Sequence, residues 1–263
     1  MPLGMSETIV DFRKRMVKNR QQELQSLDYD SLRRVIDKSL TATGWSLEAG
    51  SGLGRYVHYL GTRGFASVGI EISSEIAGKA KRLFPASDFI VGDVRQLPIR
   101  SDCIRNLLSL GVIEHFVDSR ALVTESTRVL QTNGIMVTTV PNQYSFWPHI
   151  RSYLQRSGKW DIGYERSLTK PELRQILETS GLQVDSVREI KAISTLVQLL
   201  LLMIQKIVSM RVTNPEPSPL RDFYLPREKT MRKVLPLISR IVDSVPIVSR
   251  LGFLIVAVSR KSP

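Results

Sequence analysis

The residues best suited to chemistry lie in Ser46-Leu-Glu-Ala-Gly-Ser-Gly-Leu-Gly-Arg55 and Val68-Gly-Ile-Glu71. Leu47 to Ala49 reads as the end of a short strand and Arg55 to Leu60 as the start of a helix. Gly50, Gly52 and Gly54 then fall in a tight strand-to-helix turn, where glycine permits positive φ and close approach of a ligand to the backbone. Glu71 ends a second apolar run about twenty residues on, where a carboxylate can accept hydrogen bonds from both ribose hydroxyls. A glycine turn beside an acidic strand end is suited to holding a nucleoside; a purely structural glycine turn is the alternative.

Two details separate this turn from a dinucleotide site. The spacing is G-x-G-x-G, with Arg55 where the third glycine of G-x-G-x-x-G would stand, and Glu48 lies two residues before Gly50. A carboxylate there repels a pyrophosphate but suits a ligand with a cationic amino-acid end.

The pattern resembles the first motif of class I S-adenosylmethionine-dependent methyltransferases of the small-molecule type, similar to the ubiquinone and menaquinone methyltransferases. Further matches occur in order. Phe89-Ile-Val-Gly-Asp93-Val94 resembles the third strand, Leu107-Leu-Ser-Leu-Gly-Val-Ile-Glu-His-Phe116 the fourth strand and its v-l-E-H segment, Arg128 to Val140 a helix end, turn glycine and fifth strand, and Gly252 to Lys261 the closing strand. The resemblance covers residues 44 to 190 and 252 to 261. It implies S-adenosyl-L-methionine as cofactor, held by Glu48, Gly50, Ser51, Gly52, Gly54, Glu71, Ile72, Asp93, Val94 and Leu110, with Asp93 on the adenine amino group and Val94 against the ring. It also implies a Rossmann-like seven-stranded, mostly parallel α/β sheet with helices on both faces and the last strand antiparallel. One departure stands out: Arg105 occupies the fourth-strand entrance, where the family usually carries an aspartate, and Asp102 is displaced three residues earlier. Arg105 is read as a solvent-facing residue.

The elements that must position these residues are legible as alternation. Strands are expected at 45–49, 66–71, 88–91, 105–110, 134–140 and 182–190, separated by helical segments, which predicts a parallel sheet with ligands beyond the carboxyl ends of its strands. Thr169 and Glu172 form a capping-box signal with Pro171 in the first turn of a helix that stops at Gly181. Residues 141–169 read as a loop-rich insertion containing Tyr144, Trp147, His149, Trp160, Tyr164, Glu165 and Arg166. Loops after strands carry specificity in this architecture. If the acceptor is a hydroxyl, a general base would assist, and His115, Tyr144 and Glu165 are the candidates by location, with His149 a further one. His58 is read as structural.

The expected organisation is a helical N-terminal cap over 1–43, with Ile9, Phe12, Met16, Leu32, Val35, Ile36 and Leu40 at helical spacing; a cofactor-binding core over 44–190; a helical insertion over 191–250; and a final strand over 251–263. Ala192 to Gln205 carries no charge. At fourteen residues it is shorter than the roughly twenty that span a bilayer. A buried core helix, a helix at a lipid interface and a dimer or substrate-channel helix are the open readings. Asn214 to Pro219 reads as a stiff connector and 228–244 as another amphipathic helix.

The chain has 263 residues, 42% of them hydrophobic, enough for a sizeable core and against disorder. Its one cysteine, Cys103, excludes an internal disulfide, and no metal site is expected. Met1 to Val10 lacks a secretory pattern, so a cytoplasmic protein is expected, with contact to an anionic membrane as an option. The net charge of +12 is compatible with nucleic acid, anionic lipid or an acidic substrate. Basic residues cluster at Arg13, Lys14, Arg15, Lys18 and Arg20, and at Arg227, Lys229, Arg232 and Lys233, either as binding patches or as solvated helix faces.

The expected partner is a small-molecule or lipid-linked methyl acceptor, by O-methylation ahead of C- or N-methylation. An RNA or protein methyltransferase is the alternative; Thr139-Val-Pro-Asn142 stands where an N/D-P-P-Y segment would, and no Pro-Cys nucleophile is present. A binding protein that kept the fold without the chemistry, suggested by Arg105, is a third reading.

Overall fold

A row of five parallel strands, extended by an antiparallel pair, forms the centre of the computed structural model, which describes residues 30–145, 147–158, 160, 163–190 and 253–263. The expectations for 1–29 and 191–252, including both basic clusters, the 192–205 and 228–244 helices and the 214–219 connector, lie outside the described residues. The strands are β1 (Trp45–Ala49), β2 (Ala66–Glu71), β3 (Asp88–Val91), β4 (Ile104–Leu110), β5 (Leu130–Pro141), β6 (Leu182–Ile190) and β7 (Leu254–Lys261). Their spatial order is β3-β2-β1-β4-β5-β7-β6, and β7 runs antiparallel to both neighbours, as the seven-stranded reading expects. The order reverses between β1 and β4, the switch point where ligands bind in doubly wound sheets.

Helices cover both faces because successive strand residues alternate sides. On one face Leu108, Val137, Val256 and Val258 meet Leu32, Val35 and Ile36 of α1 (Asp30–Ser39) and Tyr56 and Leu60 of α2 (Arg55–Thr62). On the other, Leu47, Ile70, Leu107, Met136 and Ala257 meet Leu122 and Val123 of α4 (Ser119–Val129) and Leu173 and Leu177 of α6 (Lys170–Glu178). Burial of each such large aliphatic side chain is worth about 1.5–3 kcal/mol. Between them in sequence, α3 (Ser74–Leu83) packs on β2 and β3 and starts at Ser73, whose hydroxyl accepts from the Ile76 amide. The capping box at α6 forms as read, with Thr169 and Glu172 bonding each other's amides.

Three boundaries differ from the sequence reading. β4 begins at Ile104, one residue earlier. β5 begins at Leu130 rather than 134, because Ile104 pairs with Leu130 while Asn106 pairs with Ile135, so the expected turn around Gly134 is an irregularity within the strand pairing. The 141–169 insertion is not all loop: Trp147–Arg156 is a helix, α5. None of its residues is buried, although Trp147, Ile150, Tyr153 and Leu154 recur at helical spacing, a signal that the loop reading passed over. Leu254 pairs with both Pro141 and Ile190, so β6 ends and β7 begins at the edge of the sheet that holds the strand carboxyl ends.

Candidate active site

Backbone hydrogen bonds knit the strand ends into one row. The Gly50 and Ser51 amides donate to the Ile70 carbonyl, the Gly92 amide to the Glu71 carbonyl, and the Gly111 amide to the Thr139 carbonyl. Gly50, Gly52 and Gly54 have φ of 75°, 55° and 76°, the left-handed conformation expected of the turn. At Gly54, which starts α2, a Cβ would also collide with the Phe89 ring, so this glycine lets β3 close against the turn. At Gly52 a Cβ would meet nothing within 4 Å.

The acidic residues are already ordered by backbone donors. Glu71 is wholly buried and accepts from the Gly52 amide at 3.0 Å and the Ser73 amide at 3.1 Å, tying the glycine turn to the start of α3. Glu48, 5% exposed, accepts from the Val57 amide at 3.1 Å and so caps α2 from the end of β1. Its charge also complements the positive end of that helix. Ser51 places a buried hydroxyl in the turn with no hydrogen-bond partner. Open space at Gly52, the unsatisfied Ser51 hydroxyl and an ordered carboxylate beside them fit a polar nucleoside ligand.

Asp93 follows β3 and is held by Arg95, which donates from its backbone amide at 2.8 Å and from Nε and Nη2 at 2.6–3.1 Å. Burial pushes the carboxyl up, but the hydrogen bonds and charge of Arg95 outweigh it and keep Asp93 below its ordinary value. The guanidinium also lies 5.9 Å from the centre of the Phe116 ring, within cation–π range. Val94 is buried beside Asp93, Leu110 closes β4, and Ile72 continues from Glu71 toward Ser73. All ten predicted cofactor residues therefore lie at or just beyond the carboxyl ends of β1 to β4.

The three candidate bases differ in what holds them. His115 ends a short 3₁₀ turn (Ile113–His115), and its Nδ1 lies 2.9 Å from the Tyr164 carbonyl. A carbonyl only accepts, so Nδ1 carries the proton and Nε2 is the acceptor nitrogen of the neutral ring. Tyr144 is 69% exposed just past β5, its amide bonded to Asn142 Oδ1. Glu165 is clasped by Trp147 Nε1 and Arg151, and so fixes α5 to the segment after it. His149 is exposed on α5, and His58 stacks on Phe84 at 4.3 Å as a structural residue.

Arg105 stands at the opposite end of β4 from the site, bonded to Thr41 Oγ1 and the Thr132 carbonyl. It does not face the strand carboxyl ends, which removes the observation that suggested a non-catalytic scaffold. Residues that the sequence reading missed are Arg95, Ser73, Phe89 and the Trp147–Arg151 pair. Only Arg95, two residues after Asp93, carried a local signal. A groove of about 330 Å³ between the starts of α4 and α6, lined by Ser119, Arg166 and Glu172 among others, includes none of the predicted cofactor residues.

Residues 47–138 match the model of a methyltransferase domain, spanning β1 through most of β5 and thus every strand end described above. Over that stretch the chain is similar to the class I S-adenosylmethionine-dependent methyltransferases. The cofactor of this family is S-adenosylmethionine. A Mycolicibacterium smegmatis protein named as a probable S-adenosylmethionine-dependent methyltransferase is 27% identical over 53% of this chain and 52% of its own. A malonyl-[acyl-carrier protein] O-methyltransferase of Hamiltonella defensa is 27% identical over 35% of this chain and 36% of its own. The methyltransferase fold extends further: a solved complex between the Haloferax volcanii Trm112 methyltransferase activator and a methyltransferase matches with a TM-score of 0.63 at 15% identity, over 96% of this chain and 98% of that one. The chain spans about half the length of the first curated relatives it matches. Among the described residues, no helix is long and apolar enough to cross a membrane, and no group of three or more His, Cys, Asp and Glu could hold a metal ion.

Proposed function

We propose that the protein transfers the methyl group of S-adenosylmethionine to a hydroxyl or other oxygen of a small-molecule or lipid-linked acceptor. The observation that carries this reading is the convergence at one sheet edge of the Glu71-anchored glycine turn, Asp93 and the His115 segment, with the aromatic insertion of Tyr144, Trp147 and Trp160 following on β5. S-adenosylmethionine, when bound, supplies a methyl carbon activated by the sulfonium. On this reading the methyl carbon would pass in line to an acceptor oxygen, and sulfur would keep the electron pair of the broken S–CH₃ bond, leaving S-adenosylhomocysteine.

The chain's own groups position and desolvate. Glu71 would take the ribose hydroxyls, the adenine would lie between Val94 and Ile72 with its amino group toward Asp93, and Glu48 would favour the cationic end of the methionine portion. Orientation of this kind supplies much of the acceleration in such a displacement. His115 is our assignment for the general base, because the Tyr164 carbonyl fixes the tautomer in which Nε2 can take the acceptor proton. Glu165 is assigned to holding α5, and Tyr144 to the mouth of the acceptor space.

The oxygen acceptor is supported by the malonyl-carrier O-methyltransferase among the relatives and by a histidine at the methyl-facing segment. A lipid-linked or anionic acceptor is supported by the net charge of +12 and the uncharged 192–205 run. Incubation with methyl-labelled S-adenosylmethionine and separate lipid, metabolite, protein and RNA fractions tests the reading. Label in the lipid or small-metabolite fraction, in an ester or ether, is the expected result. Label found in RNA and lost after nuclease would overturn it.

A further inference from the structure

We infer that Arg95 is a latch on the adenine-binding acid: its side chain competes with the adenine amino group for the Asp93 carboxylate. The inference rests on the cofactor reading above and adds a competitor within the site. A carboxylate offers about four lone-pair positions. At Asp93, Oδ1 accepts from the Arg95 amide at 2.8 Å and Nε at 3.1 Å, and Oδ2 accepts from Nε at 3.0 Å and Nη2 at 2.6 Å. Three N–H donors of one residue thus lie on the two oxygens, the Nε hydrogen being shared between them, so an adenine amino group that approaches Asp93 competes with the guanidinium for its acceptor positions.

The guanidinium can withdraw. The Arg95 and Asp93 side chains keep 34% and 29% of their exposure, so the pair opens to solvent rather than into a sealed core. Phe116, 5.9 Å from the guanidinium carbon, offers an aromatic surface next to the pair, and Phe116 directly follows His115. The backbone bond from the Arg95 amide survives this movement, so Asp93 stays oriented while the side-chain contacts are exchanged for adenine. Arg95 is therefore a positioning residue whose side chain lowers cofactor affinity by competition.

Two consequences separate this from a merely structural ion pair. Removing the side chain tightens the cofactor, and raising the salt concentration, which screens exposed charges, tightens it in the parent protein but not in the variant. The test is calorimetry of S-adenosylhomocysteine against the full chain, Arg95→Ala and Arg95→Gln, at low and high salt, with S-inosylhomocysteine, which has no amino group for Asp93, as the second probe. The expected result is roughly three- to tenfold tighter binding of S-adenosylhomocysteine in both variants, the worth of an exposed but bidentate pair, with a smaller gain for the inosine analogue. The salt response of the parent requires no variant and holds if either substitution fails to fold. Unchanged or weaker binding in the variants, or parent affinity that falls with salt, overturns the latch. Absence of binding in the parent sinks the cofactor reading and the latch together, whereas parent binding that Glu71→Ala abolishes and Arg95→Ala leaves unchanged sinks the latch alone.

Discussion

The half of this molecule proposed to hold the cofactor, β1 to β4, and the half beyond β5 proposed to meet the acceptor are built on different principles. In the first, carboxylates are held by backbone amides: Glu71 by Gly52 and Ser73, Glu48 by Val57, Asp93 by Arg95. Backbone donors in strands and turns are fixed by the fold, so the ligand edge is preorganised before any ligand arrives. In the second, contacts run between side chains: Trp147 and Arg151 to Glu165, Trp147 against Trp160 and Phe253, with Tyr144, Tyr153 and Tyr164 largely exposed. Such a surface can change its residues without disturbing the sheet. The difference is one of degree: backbone amides hold Glu71 and Glu48, the Arg95 amide and side chain together hold Asp93, and side chains hold Glu165.

That contrast can be broken at several points. The largest effect is expected at His115. His115→Gln should lower kcat by about 10²–10⁴, the usual worth of a general base, with S-adenosylhomocysteine affinity unchanged in calorimetry; equal loss of both would move His115 into the cofactor half. Next comes Glu71→Ala, which strips the acceptor from two amides and from the ribose. Cofactor affinity should fall on the order of tenfold to a hundredfold, and chemical denaturation should show a loss of about 1–3 kcal/mol.

Gly54→Ala tests the preorganisation itself, since the residue sits at φ 76° against the Phe89 ring. Strain and overpacking together should cost about 2–4 kcal/mol in denaturant titration, and retention of parent stability would mean that the turn and β3 give way easily. Trp147→Phe keeps the ring but removes its bond to Glu165. It should raise the acceptor KM by up to about tenfold, in line with one charge-assisted hydrogen bond of about 1.5 kcal/mol, and leave the cofactor untouched.

The smallest effect concerns pH. Burial alone would raise the Asp93 carboxyl, yet Arg95 holds it below its ordinary value of 3.8. A group with a depressed folded-state pKa contributes stability above its unfolded value and loses that contribution as pH falls through the folded value. The parent should therefore exceed Asp93→Asn in stability at neutral pH by less than about 1 kcal/mol, because the pair is partly exposed. The gap should close below the unfolded value, as measured by denaturant midpoints across that range.

The legibility of the sequence follows the same division. β1, β2 and β3 were readable to the residue because their apolar runs end at or just before Gly, Asp or Glu, β6 because Gly181 marks its start, and α6 because of the spacing of the Thr169–Glu172 box. The proposed cofactor residues were carried over from the family resemblance, and the structure places them at or just beyond strand ends. What was hidden depends on three dimensions. α5 buries nothing, so its Trp147, Ile150 and Leu154 spacing marks no core contact, and the grip of Trp147 on Glu165 joins residues 18 apart across an irregular segment. The Asp93–Arg95 pair is close in sequence but is set by a side-chain rotamer. The Gln131–Gly134 stretch looked like a turn because its glycine and asparagine are turn residues, whereas the pairing of β4 with β5 absorbs them as an irregularity.

The central claim is that the strand ends of β1 to β4 form an S-adenosylmethionine site independent of the acceptor half. Calorimetry of S-adenosylhomocysteine with the parent, Glu71→Ala and Glu165→Gln tests it most directly. The account predicts binding in the parent, loss in Glu71→Ala and parent-like affinity in Glu165→Gln; equal affinity in the parent and Glu71→Ala, or loss in Glu165→Gln, would contradict it.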